Sequence, residues 1–204
     1  MWRWLDVLFP PRADEALLRD ISLDDFLFLL APRVVDKTAP HAIALLPFTD
    51  AAVRAAIHEA KYRGSTHAFD LLAATLREYL YESDTDFTKR STIVVPVPLG
   101  ATRKRERGFN QVETVVRQAL NQHEFILDAA LLIRTRETAS QVSLSRLERE
   151  SNMRGAFRAA HTVDPSHLYI VVDDVVTTGA TLQAAVHALT AAGATSIIPL
   201  ALAH

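Results

Sequence analysis

The sequence contains no cysteine. Disulfides and thiolate metal centres are therefore excluded, and a reducing compartment is permitted without being required. Long apolar runs are also missing. The stretch from Phe26 to Ala31 falls far short of the roughly 20 residues that span a bilayer. Asp6 and Pro10-Pro11 interrupt the opening segment before it can resemble a secretory signal. The expectation is a soluble, cytoplasmic protein with no membrane partner. Positive charge is not in excess: 22 Lys and Arg oppose 24 Asp and Glu, for a net charge of −2. That balance argues against a chain coated for nucleic acid while allowing a local basic patch, so direct DNA binding is not expected to be primary. No internal repeat or low-complexity tract is present. The eight histidines do not cluster; His58, His67 and His123 lack a usable partner spacing, and His187 lies between apolar residues. Core or surface roles are expected for them rather than metal ligation.

What remains is a chain of 204 residues, 49% hydrophobic, long enough for one large domain or one domain with a small appendage. Leu23, Phe26, Leu27 and Leu30 have the spacing of a short amphipathic helix. Helices are predicted over 51–62, ended by Gly64, and over 67–81, with Phe69, Leu72, Leu76 and Leu80 on one face. The β-branched run from Thr92 to Pro98 suits a strand buried on both sides of a parallel sheet. A basic turn from Arg103 to Gly108 leads into a helix from Asn110 to Asn121, and residues 131–134 form a short strand. Leu168 to Asp173 is a second buried strand, Thr181 to Ala192 a helix closed by Gly193, and Ser196 to Leu202 a last strand. Strands alternating with helices indicate a parallel α/β sheet.

The chemistry is concentrated in Asp173-Asp174-Val175-Val176-Thr177-Thr178-Gly179-Ala180-Thr181. A buried strand ends in two carboxylates, a short hydroxylated loop follows, and a helix starts at once. The unsatisfied N–H groups and the dipole of that helix favour an anion, with hydroxyls from Thr177, Thr178 and Thr181 and close approach allowed by Gly179. Two aspartates beside a phosphate make sense when the ligand also carries hydroxyls or a divalent cation. A plainer reading stays open, in which Asp173 and Asp174 form a solvated turn and Thr181 caps the helix.

This run resembles the 5-phosphoribosyl-1-pyrophosphate (PRPP) signature of type I phosphoribosyltransferases. The rest of the chain is similar to ComF-family proteins, through Pro96-Val97-Pro98-Leu99, Arg103, Arg107-Gly108-Phe109-Asn110-Gln111, Arg134-Thr135-Arg136, Arg154-Gly155-Ala156-Phe157, Lys61-Tyr62-Arg63-Gly64 and Leu8-Phe9-Pro10-Pro11-Arg12. The resemblance implies a Rossmann-like parallel sheet flanked by helices over residues 39–204, with a flexible hood and a small N-terminal extension over residues 1–38. Asp173 and Asp174 would meet the ribose hydroxyls and a magnesium ion, and Thr177, Thr178, Gly179, Ala180 and Thr181 would hold the 5-phosphate. ComF-like proteins usually carry a cysteine zinc finger near the N-terminus, but here Ala13 follows Arg12 where a first cysteine is expected. Residues 13–38 are then expected to be metal-free and held by packing or by a partner.

A pyrophosphate leaving group needs further cations, and Arg103, Lys104, Arg105 and Arg107 follow the strand that ends at Pro98. A solvated basic turn is the alternative. Residues 135–155, polar and rich in arginine, resemble the hood that closes over PRPP, with Arg149 and Arg154 facing the ligand; Leu144 to Met153 can equally form a surface helix. Gly108-Phe109-Asn110-Gln111 reads either as a base contact or as an ordinary helix entrance. The implied reaction displaces pyrophosphate from PRPP by a nitrogen nucleophile (a base, ammonia or an amine) with magnesium as cofactor. A non-catalytic PRPP- or nucleotide-binding module acting through competence proteins in DNA uptake is the rival, and a homodimer is left open.

Overall fold

The computed structural model describes residues 13–82, 87, 91–120, 125–136, 153 and 155–204. Two short helices, α1 (Ala13–Arg19) and α2 (Leu23–Leu27), precede the edge strand β1 (Arg33–Val35) and β2 (Ala42–Leu46). Helices α3 (Ala51–Arg63) and α4 (Thr66–Glu82) lead to β3 (Thr92–Pro96), then α5 (Ala101–Arg107), α6 (Gln111–Ala119) and β4 (Phe125–Leu127). A two-stranded antiparallel unit, β5 (Leu132–Arg134) with β6 (Phe157–Ala159), comes before β7 (Leu168–Val175), α7 (Ala180–Ala191) and β8 (Ser196–Ala203). The main sheet runs β1-β2-β8-β7-β3-β4 and is parallel except for β1, which pairs antiparallel with β2.

β7 shows why the sheet needs cover on both sides. Ile170 and Val172 point into one apolar cluster, while Tyr169 and Val171 point into a second on the opposite face. The first cluster is closed by α3, α4 and α6, and the second by α7 with Met153 and Phe157. Each large apolar side chain removed from water in this way contributes roughly 1.5–3 kcal/mol before packing is counted. Among the described residues no helix is long and apolar enough to cross a membrane.

The predicted helices and buried strands are present, with informative differences at their ends. β7 continues to Val175 because Asp173 and Val175 pair with Ala201 and Ala203 of β8, so the two aspartates sit inside the strand rather than after it. The basic segment expected to be a turn is the helix α5, which has no buried residue. Its alanine, arginines, lysine and glutamate are good helix formers, but without an apolar face no periodicity marks them. Gly108, at φ 79°, closes it in the left-handed region that glycine adopts without penalty. β2 was not foreseen; two of its five residues, Ala42 and Ala44, are alanines with weak strand preference, and its parallel pairing with β8 fixes it.

Residues 13–38, read from sequence as an extension, supply Leu18 and Phe26 to the core and β1 to the sheet edge. α2 is capped by Ser22, whose hydroxyl accepts from the Asp25 N–H at 3.1 Å, and Phe26 is 0% exposed against α4. Phe26→Ala is expected to cost about 3–5 kcal/mol in chemical denaturation. The loss should appear in a single transition that also reports Trp-independent far-UV signal from the sheet; an unchanged main transition would mean that this segment folds apart from the rest.

Candidate functional site

The carboxyl ends of β3 and β7 lie side by side, because Pro96 pairs with Val172 in parallel register. Open α/β sheets bind ligands at this end of their strands. A cleft of about 750 Å³ opens there, bounded by the ends of α3, β3 and β7 and by α5. Of the residues singled out from sequence, Asp173, Asp174, Thr177, Thr181, Arg103 and Arg107 line it together. Thr178, Gly179 and Ala180 join Asp173, Thr177 and Thr181 around a small adjoining recess. Lys104 is exposed and is not among the lining residues. Arg149 and Arg154 lie outside the described residues, as does most of the segment read as a hood.

The loop between β7 and α7 is pinned at both ends. The Val176 N–H donates to Ala203 at 3.0 Å, and the Gln183 N–H donates to the Gly179 carbonyl at 2.8 Å. Between these points the N–H groups of Thr177, Thr178 and Gly179 take no partner among the described residues. They stand at the start of a 12-residue helix, where the dipole adds partial positive charge. The cap is Gly179, at φ 79°, and Thr181 falls in the first helical turn rather than at the N-cap. Gly179 has a second reason to be glycine. A Cβ there would stand 2.6 Å from the Lys37 carbonyl oxygen and 2.9 Å from the Thr38 methyl, so the segment after β1 packs directly on this loop. A bulky residue at this position disturbs that packing whether or not a ligand is present.

The two aspartates are not equivalent. Asp174 is buried and accepts from Gln111 Nε2 at 2.6 Å, from the Val175 N–H at 2.7 Å, and from Lys61 Nζ at 2.9 Å. Burial alone would raise its pKa; the adjacent Lys61 ammonium and these donors outweigh that and hold it below the ordinary carboxylate value. Among the described residues Asp173 accepts only the Asp174 N–H, at 2.9 Å. Desolvation, reinforced by the charge on Asp174, pushes its pKa up to about 7. Two neighbouring carboxylates thus hold different protonation states near neutral pH, the arrangement that lets one site offer a fixed charge beside a group able to exchange a proton.

Three further side chains belong to this cleft, although the sequence singled them out only within longer matching stretches. Lys61, in the last turn of α3, reaches Asp174; Gln111, at the start of α6, is held between Asp174 and Arg107, whose Nη1 donates to Gln111 Oε1 at 3.1 Å. The Arg107 guanidinium lies over the Tyr62 ring at 4.9 Å. The signal that could have found Lys61 is the burial expected of Asp174 itself, since a carboxylate inside a parallel sheet requires a cation. Phe109 lines the cleft on one side and packs edge-on against Phe69 on the other.

No family model matches the chain. It is 34% identical over 142 residues to the DNA utilization protein YhgH of Escherichia coli and 32% identical over 142 residues to that of Salmonella typhimurium. It is 33% identical over 92 residues to Competence protein F of Haemophilus influenzae. The first two alignments take in 69% of this chain and 62% of the relative; the third takes in 44% and 40%. The chain thus spans less than two thirds of the length of the relatives it matches. These similarities support a ComF-related family.

The unequal aspartates make a testable difference. Between the ordinary value of 3.8 and about 7, folded Asp173 keeps a proton that the unfolded chain has lost, so the native state is progressively destabilised as pH rises through that window. Asp173→Asn retains the oxygen that accepts the Asp174 N–H and removes the titration. It is expected to stabilise the free protein by about 1–3 kcal/mol at pH 8, with the gain shrinking toward zero near pH 4. Urea unfolding at several pH values measures this; a gain independent of pH would show that Asp173 does not titrate in that range.

Proposed function

We propose that this cleft binds PRPP and that the chain is a phosphoribosyltransferase of the ComF kind, serving DNA utilization or competence. The observation that carries the reading is the meeting, in one cleft, of two neighbouring groups at the end of β7 with a third that is distant in sequence. They are a strand-end carboxylate pair, a phosphate-sized loop with free N–H donors, and two arginines about 70 residues earlier. A ribose carrying a phosphate at one end and a pyrophosphate at the other is complementary to that set. In this reading the 5-phosphate sits on the loop from Thr177 to Thr181, Asp173 and Asp174 face the ribose hydroxyls, and Arg103 and Arg107 neutralise the pyrophosphate. The names of the relatives support the wider role in DNA use.

Adjacent carboxylates with oxygen donors fit a magnesium ion, which would supply positive charge to the leaving pyrophosphate. In the transfer itself, the bond from C1 of the ribose to the pyrophosphate oxygen breaks with its electrons leaving on pyrophosphate. A bond forms from C1 to the acceptor nitrogen, which loses a proton. The protein's share is positioning and charge: Arg103 and Arg107 hold the leaving group, the loop fixes the other end of the sugar, and Tyr62, Pro98, Leu99 and Phe109 form a wall against which an acceptor can lie. Asp173, with its pKa near neutrality, is positioned to give up its proton as the ligand arrives and then to accept a hydrogen bond from a ribose hydroxyl.

The deciding experiment incubates the protein with PRPP and magnesium chloride beside a panel of nucleobases, ammonia and simple amines, and follows pyrophosphate. Acceptor-dependent release is expected, and Arg107→Ala should reduce it by roughly 10- to 100-fold, the scale of one lost charged hydrogen bond. PRPP binding with no release under any acceptor would instead identify a non-catalytic module that works through partner proteins.

A further inference from the structure

Away from the cleft, α1 and α3 bring together three groups with the chemistry of a metal site. Asp14, on the first turn of α1, places its carboxylate 2.9 Å from His58 Nδ1, on α3. The Glu59 carboxylate approaches the same nitrogen at 4.0 Å, and the three ligand atoms all lie within 4.8 Å of one another. An ordinary ion pair accounts for Asp14 and His58. It does not account for Glu59, which is 6% exposed and has no other paired group among the described residues. One imidazole nitrogen shared between two carboxylates leaves their oxygens with lone pairs free to bind a further ligand.

We propose that Asp14, His58 and Glu59 bind a divalent transition ion, zinc in preference to magnesium, and that the ion fastens α1 to α3. The donor set decides the class. One imidazole nitrogen with two carboxylate oxygens suits zinc, whereas magnesium favours oxygen ligands and retained water. Ligands at zinc's usual distances of about 2.0–2.2 Å stand roughly 3.3–3.6 Å apart in a tetrahedron. The observed separations need only small rotations of the half-exposed Asp14 and His58 side chains to reach it. Three protein ligands leave a fourth position for water. The absence of cysteine excludes thiolate zinc, and an ion held here departs from the sequence expectation that residues 13–38 are metal-free and that His58 is no metal ligand.

The test uses the untagged full chain, stripped with chelator and titrated with zinc chloride by calorimetry, with bound metal counted by elemental analysis after dialysis. One zinc per chain and a higher unfolding temperature are expected, with excess magnesium chloride failing to displace the ion. Glu59→Gln, close to isosteric, should weaken zinc binding at least about tenfold, and so should His58→Ala at its half-exposed position. Asp173→Asn should bind zinc as the natural chain does. Absence of zinc binding overturns the proposal. So does zinc affinity in Glu59→Gln and His58→Ala equal to that of the natural chain, or loss of zinc in Asp173→Asn, which would put the ion in the cleft. Because these readouts involve neither PRPP nor pyrophosphate, the result stands apart from that of the transfer reaction.

Discussion

The contact between Lys61 and Asp174 is the constraint from which the rest of the cleft follows. A carboxylate inside the central strand of a parallel sheet has no water to stabilise it and would ordinarily take up a proton. With Lys61 at 2.9 Å and Gln111 at 2.6 Å it remains charged, and its charge in turn helps keep the next aspartate protonated to unusually high pH. Holding Lys61 there requires the last turn of α3 to end at this point. Gly64 ends it at φ 63°, with the Phe109 ring 3.3 Å from where a Cβ would stand. Gln111 requires α6 to begin beside β7, and Asn110 secures that start by accepting the Val112 N–H and donating to the Val97 carbonyl. Three elements from different parts of the chain are therefore fixed relative to one another by the need to neutralise one buried charge.

That arrangement also gives the cleft its division of labour. One wall is a row of donors, the N–H groups at the start of α7 that take no partner among the described residues; the other carries the guanidiniums of Arg103 and Arg107. Between them lie one aspartate that is committed to charge and one that is poised to change. A ligand with phosphate at both ends and hydroxyls in the middle would find a complementary partner along its length. Lys61 is then a resident cation that an incoming metal ion could relieve, freeing Asp174 to contact the ligand without leaving a bare buried charge.

Much of this was legible in the sequence, and the boundary has physical causes. Thr92 to Pro96 and Leu168 to Asp173 announced themselves because strands buried on both faces read as continuous β-branched runs, and the Thr-Thr-Gly-Ala-Thr loop did so because a glycine among small residues marks the turn from β7 into α7. α5 stayed hidden because a helix with no buried face has no apolar period. The packing of Lys37 on Gly179, the bridge from Lys61 to Asp174 and the meeting of Asp14 with His58 all join residues more than 40 positions apart. No local pattern encodes them; they appear only once β1, α1 and α3 are docked.

The central claim is that a site with one charged and one protonated aspartate receives PRPP together with magnesium. Proton exchange on binding tests it most directly. PRPP should be titrated calorimetrically into the protein at pH 6.5, with saturating magnesium chloride, in two buffers of different ionisation enthalpy. Asp173 is mostly protonated at that pH and must give up its proton if it turns its carboxylate to a magnesium-bound sugar, so more than about half a proton per chain should be released. Asp173→Asn should abolish that release. Binding with the same proton count in both proteins, or no binding at all, would contradict the account.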